Sequence, residues 1–144
     1  NDIEARGALL LGSCYGGIAI DNCGTALAHN ISHAMADLAP IPHGRATGLA
    51  MLATMKWVSQ GASEAYARVA KAMSAADPVI AYDRLVRATG MKISLEGDGL
   101  DLAKPELLAE HMASPANAPM RKSNLRYPGD AELVELARLV YDLH

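Results

Sequence analysis

Apolar residues along this chain recur at helical spacing, and glycine, proline and capping residues divide them into segments. Asp2 to about Ile20 reads as a helix with Ile3, Leu10, Leu11 and Cys14 on one face, weakened at its far end by Gly16-Gly17. Asn22-Cys23-Gly24 signals a turn, Thr25 is the expected N-cap, and Ala26 to Leu38 forms a second, short helix. Pro40 and Pro42 forbid continuation, because proline has no N–H to donate and clashes with the preceding turn. A third helix runs from about His43 to Ser59. Its Leu49, Met51, Leu52, Met55 and Trp57 make it apolar nearly all round, so it is expected at the centre.

Gly61 breaks that helix, and Ser63 to Ala75 follows as an amphipathic segment with Ala65, Val69 and Met73 on one stripe. Asp77-Pro78, an N-cap followed by proline at the first helical position, opens a helix that ends at Gly90. Ile93 to Leu102 reads as loop and turn around Gly97, Asp98 and Gly99, and Lys104 to Met112 as another helix with Pro105 near its start. Ser114 to Gly129 is irregular, and Asp130 is expected to cap a last helix to about Leu143. No strand alternation or internal repeat competes with this reading. The pattern predicts an all-α bundle of about seven helices joined mostly by short loops.

Composition supports the same class. At 144 residues there is room for one sizeable core, and 51% hydrophobic against 20% charged residues is ordinary for a folded domain. Only 4% of residues are aromatic and Phe is absent, so Ala, Leu and Met carry the core, which suits helix better than strand. The net charge of −3 is spread without a basic stripe, which argues against nucleic-acid binding. Cys14 and Cys23 form neither a CxxC pair nor a disulfide framework, and a reducing cytoplasm is the simpler expectation. The apolar run Gly7 to Ile20 is too short and too interrupted to span a bilayer, and Asp2 and Glu4 stand where a signal peptide would be positive. The chain begins at Asn1 without Met and turns apolar almost at once, so it is expected to be a piece of something longer.

The candidate chemistry lies in three of the five histidines. His29 and His33 are four apart and share a helix face; His43 follows fourteen residues after His29, past the proline break and at the head of the third helix. Three imidazoles converging at one place suit zinc, iron, copper or nickel. On spacing alone, a histidine pair at i, i+4 is more often only a polar pair at a helix surface or a satisfied core pair. The zinc-protease reading is dropped, because the HExxH glutamate is missing.

The stretch from Gly24 through His29, His33 and Asp37 to Pro42-His43-Gly44 closely resembles the signature of iron-containing (group III) alcohol dehydrogenases. The run Ala8–Gly17 is similar to the helix before that signature, and Met120-Arg-Lys-Ser-Asn124-Leu-Arg126-Tyr-Pro128 to the family's Asn-Pro-Arg segment ahead of its last helix. The resemblance covers essentially the whole chain. It implies that residues 1–144 are the C-terminal helical, metal-binding domain of a dehydroquinate-synthase-like, two-domain enzyme whose N-terminal nucleotide-binding α/β domain is absent from this chain. It implies Fe2+ (or Zn2+) and NAD or NADP in the full enzyme, hydride transfer between a small alcohol and its aldehyde, and a homo-oligomer with neither nucleic acid nor membrane as partner. His29 and His43 match metal ligands. His33 matches a residue beside the metal, near nicotinamide and substrate, where it either relays the alcohol proton or shapes the pocket. The remaining ligands, an Asp and a third His, belong upstream, so this chain alone is expected to be inactive and to bind metal weakly.

Departures from the pattern bear on the substrate. Many relatives have Gly where Ala36 stands and another small residue at Asp37, a Pro-His where this chain has Leu52-Ala53, and proline after the asparagine where it has Leu125. Asp37 is expected to be a charge at a helix end or a group lining the cleft, Met51, Met55 and Met120 to be core filler, and His111 to lie at the surface. A zinc-type, glycerol-dehydrogenase-like enzyme and a stand-alone helical scaffold are the competing readings.

Overall fold

A computed structural model describes residues 2–100 and 104–144, and all its regular structure is helical. Among the described residues there are seven α-helices: α1 Ile3–Cys23, α2 Leu27–Leu38, α3 His43–Ser59, α4 Ser63–Ala72, α5 Pro78–Ala88, α6 Pro105–Ala113 and α7 Asp130–Tyr141, with a 3-10 turn at Ala118–Arg121. The all-α expectation and the helix count both hold. Of the expected loop Ile93–Leu102, positions 101 and 102 lie outside the described residues, as do Asn1 and position 103.

Packing is centred on α3, as its apolar circumference predicts. Leu49, Leu52, Ala53 and Trp57 are fully buried there. α2 packs along α3, α6 packs on α2 and α7, and α7 returns to α3. The faces of α2 are segregated by simple arithmetic. Leu27, Ile31 and Met35 recur every four residues and are fully buried, whereas His29, His33 and Asp37 repeat at the same interval two residues later, roughly 200° around the helix. Hydrophobic burial of one stripe therefore turns the histidine stripe outward. Shortening a core residue such as Leu52 to Ala would cost about 2–5 kcal/mol through lost transfer energy and the cavity left behind.

Four expectations change. Thr25 does not cap α2: the cap position is Ala26, which offers no side-chain acceptor. Asn124, from the far end of the chain, accepts the Leu27 N–H at 3.0 Å instead. Asp130 is the first residue of α7 rather than its cap, and its carboxylate takes a 2.9 Å bond from Arg121. On α4 the buried position is Ala70, while Val69 of the expected stripe is exposed, because the helix turns a different edge to its neighbour α5. Finally, α1 is continuous through Gly16-Gly17 yet buries none of its residues, leaving Ile3, Leu9, Leu10, Leu11, Tyr15, Ile18 and Ile20 in solvent. Asp2 caps its start by accepting from the Ala5 N–H, and Gly24, at φ 73°, ends it in a backbone region that favours glycine.

The Asp77 cap of α5 is as expected, accepting from the N–H groups of Val79 and Ile80. The loop after α5 is tied to the head of α3 by Arg45. Its guanidinium donates to the carbonyls of Lys92 and Ser94 and pairs with Asp98 at 2.7 Å.

Candidate metal centre

Helix α2 delivers His29 and His33 one turn apart, and the Pro40–Pro42 break returns the chain so that α3 begins on His43 beside them. The ring centres lie 5.6 Å apart for His29 and His43, 5.8 Å for His33 and His43, and 6.3 Å for His29 and His33. Two imidazoles sharing a tetrahedral metal at ~2.1 Å hold their ring centres roughly 5 Å apart. His29 and His43 come closest to that spacing, although both His pairs involving His33 lie within reach of it. Among the described residues, no group of three or more His, Cys, Asp and Glu is arranged to hold a metal ion. Imidazole nitrogens are donors of the kind that a divalent metal takes.

Residues without any sequence signature of their own hold these rings in place. Asn30, completely buried, donates from its amide to the carbonyls of Met112 and Asn117, which fixes the roll of α2 against α6. Ser32 donates to the His29 carbonyl, and Thr47 donates to Ser32, joining α3 to α2 one turn into each. The Thr47 hydroxyl also lies 3.5 Å from His43 Nε2. The proline-free repeat HxxxH announces the histidines; nothing local announces Asn30 or Thr47, whose partners are distant in sequence.

Electrostatics favour neutral imidazole where it matters. Burial holds the His29 pKa below 6.5, and the neighbouring His43 and then His33 push it in the same direction. The His29 lone pair is thus available near neutral pH. His33 and His43 are exposed.

His111 is half-exposed rather than free at the surface: its Nδ1 sits 3.3 Å from Asp37 Oδ2, so α6 reaches the outer end of the histidine stripe. Asp37 is an exposed helix-end charge that faces His111 across the two helices. Met55 is buried, whereas Met51 and Met120 are only half-buried, and Met51 belongs to the wall of a pocket that also contains His29.

Residues 1–141 match the family described as Fe-containing alcohol dehydrogenase, C-terminal. The chain belongs to the iron-containing alcohol dehydrogenase family. Within it, the chain is 27% identical over 145 residues to the probable alcohol dehydrogenase EutG of Salmonella typhimurium, an alignment that takes in 94% of this chain and 35% of that protein. It is 29% identical over 73 residues to the probable alcohol dehydrogenase EutG of Escherichia coli K12, covering 51% of this chain and 18% of that one. The chain thus spans about a third of the length of its Salmonella relative. No solved structure matches it. None of the described helices is long and apolar enough to cross a membrane.

Proposed function

We propose that this family member is the metal-carrying helical part of a nicotinamide-dependent alcohol dehydrogenase, which moves a hydride between a small alcohol or aldehyde and NAD or NADP. The observation that carries the reading is the convergence of three imidazoles from α2 and α3, with centres 5.6–6.3 Å apart, in a chain of this family. His29 and His43 are the residues that would hold the metal, Fe2+ in the first instance and Zn2+ as the alternative. When bound, the metal supplies Lewis-acid polarisation of the substrate oxygen, and the nicotinamide supplies the hydride chemistry.

The chain's own residues do the rest. His29 presents an uncharged ring because burial disfavours its protonated form. Exposed and one turn away from His29, His33 would take or return the alcohol proton at a ring nitrogen. Asn30 and Thr47 hold these rings in position through buried and inter-helix hydrogen bonds. With at most two of its residues on the metal, the 144-residue chain by itself is inactive and binds metal weakly; a nucleotide-binding α/β domain supplies the other wall. We place the full polypeptide in the cytoplasm as a homo-oligomer, a setting that suits the free, exposed Cys14 and Cys23.

The test is elemental analysis and nicotinamide turnover of the polypeptide encoded by the whole reading frame. His29→Ala and His43→Ala are each expected to lower metal affinity by about 10-fold or more. Full metal content in the double variant, or aldehyde reduction that persists without metal, would sink the assignment.

A further inference from the structure

Between the 3-10 turn and α7 the chain runs without regular structure, and its side chains alternate in exposure. Asn124, Arg126 and Pro128 are half-buried or buried, whereas Leu125 and Tyr127 between them stand in solvent. Two of the covered residues hold two different helices. Asn124 accepts the N–H of Leu27 at the head of α2. Arg126 donates to the carbonyl of Trp57, near the tail of α3, at 2.7 Å. Positions 124 and 126 are separated by at most about 7 Å of chain. One short strap therefore joins the start of one helix to the end of the next.

Arg126 is the tie of that strap to α3. Its guanidinium carbon lies 3.6 Å from the centre of the Trp57 ring, a cation–π stack. Trp57 is fully buried, and its indole N–H is already engaged by Glu135 of α7 at 3.2 Å, so the ring offers a fixed surface. The carbonyl that Arg126 takes is one of the last four of α3, which the helix itself leaves without partners, and a cation is favoured there. A second bond runs to Gln60 Oε1 at 3.3 Å. Gly61 leaves room for the arginine stem: a Cβ there would stand 3.0 Å from Arg126 Cδ.

The consequence falls on His29. It lies in the first turn of α2, with its own N–H bonded to the Ala26 carbonyl at 2.9 Å, and Ala26 offers no side-chain cap. His33 lies one turn deeper, past the Ser32–Thr47 bond that joins α2 to α3. Because α3 carries both Trp57 and His43, holding the head of α2 against α3 holds His29 against His43.

We propose that Arg126 is a positioning residue for the metal centre: stacked on Trp57, it holds the strap whose Asn124 fixes the head of α2, and so sets His29 against His43. This rests on the reading of His29 and His43 as metal ligands. Charge alone does not serve, because stacking and bonding the carbonyl together need a flat guanidinium.

Two measurements test the proposal. In the metal-free 144-residue chain, ring resonances of isotope-labelled histidine are compared between the parent, Arg126→Ala and Arg126→Lys. The His29 signal is expected to move in both variants, further in the Ala form, and the His33 signal to move least. In the polypeptide from the whole reading frame, Co2+ affinity is read from its visible absorption. Arg126→Ala is expected to weaken it about 10-fold and Arg126→Lys by less. Arg126→Ala combined with Asn124→Ala is expected to lose little more than either alone, since both act through one strap. Chemical denaturation is run on each variant. A lowered midpoint with His29 signal and Co2+ affinity at parental values means that the arginine only holds the fold, and overturns the proposal. Losses that multiply in the double variant overturn it too. Where the Ala form does not fold, a Lys form indistinguishable from the parent in both readouts does the same. Co2+ binding indifferent to His29→Ala and His43→Ala overturns the metal reading instead, and the histidine resonances still decide whether Arg126 sets His29.

Discussion

The side-chain oxygen of Asn124 accepts a 3.0 Å hydrogen bond from the backbone N–H of Leu27, a residue 97 positions earlier. Through it the C-terminal part of the chain supplies the capping acceptor that the head of α2 lacks. The same asparagine donates to the carbonyls of Met120 and Arg121, so its own conformation is held. His29 lies two residues past the capped position. Replacing Asn124 with Ala is expected to cost about 1–2 kcal/mol, as for loss of a helix cap with its partners. Chemical denaturation measures this, and a midpoint equal to that of the parent would show that Leu27 finds another acceptor.

The proposed function gives His33 a role apart from those of His29 and His43. In the full polypeptide, His33→Ala is expected to retain bound metal while lowering the hydride-transfer rate by about 10²–10⁴-fold and altering its pH profile, the range for loss of a positioned proton carrier. Elemental analysis paired with single-turnover kinetics across pH distinguishes the roles. If metal is lost with the ring, His33 is a ligand; if rate and profile stay unchanged, it only shapes the pocket.

The Arg45–Asp98 pair sets an acid limb of stability. The Arg45 hydrogen bond, reinforced by the charges of Arg45 and Lys92 against a smaller burial effect, holds the Asp98 carboxyl below its ordinary value. A depressed carboxylate binds fewer protons in the folded than in the unfolded chain. Its contribution is therefore complete above the unfolded pKa near 3.8 and disappears as pH falls through the lower, folded value. Both side chains keep some solvent contact, at 15% and 18% exposure, so the contribution is about 1 kcal/mol after screening. Asp98→Asn is expected to flatten that part of the pH–stability curve below pH ~4; an identical curve would remove the assignment.

Amide exchange should divide the molecule sharply. α1 buries none of its residues, and a lone 21-residue helix interrupted by Gly7, Gly12, Gly16 and Gly17 gains little from propensity. In the 144-residue chain its amides are expected to exchange fast, while those of Leu49 to Trp57 in α3 exchange near the global rate. Protection of α1 in the longer polypeptide, measured by the same mass-spectrometric exchange, would show that further chain covers its apolar residues. Equal protection of α1 and α3 in the short chain contradicts the division.

The Thr54 hydroxyl is buried without a hydrogen-bond partner, which makes Thr54→Val a test of stability. Removing an unpaired buried hydroxyl at nearly constant shape is expected to raise stability by about 1 kcal/mol, readable as a higher denaturation midpoint. A lower midpoint would mean that the hydroxyl is paired in solution.

The sequence by itself determined the helices, because helical periodicity and its punctuation are local: the α2–α3 break follows from two prolines, the α5 start from Asp77-Pro78, and the central place of α3 from its apolar circumference. It also put His29 and His33 on one face, since four residues make about one turn. The ends were less legible. Thr25 and Asp130 are good cap residues by type, but caps form where the acceptor meets the N–H, and a distant Asn124 meets it for α2. Tertiary structure alone decided that His43 returns to within 5.6 Å of His29, that Asn30 and Thr47 lock the two helices, that His111 reaches Asp37, and that the Thr54 hydroxyl is buried without a partner. Each of these depends on contacts between residues far apart in the chain, where side-chain packing rather than local spacing selects the partner.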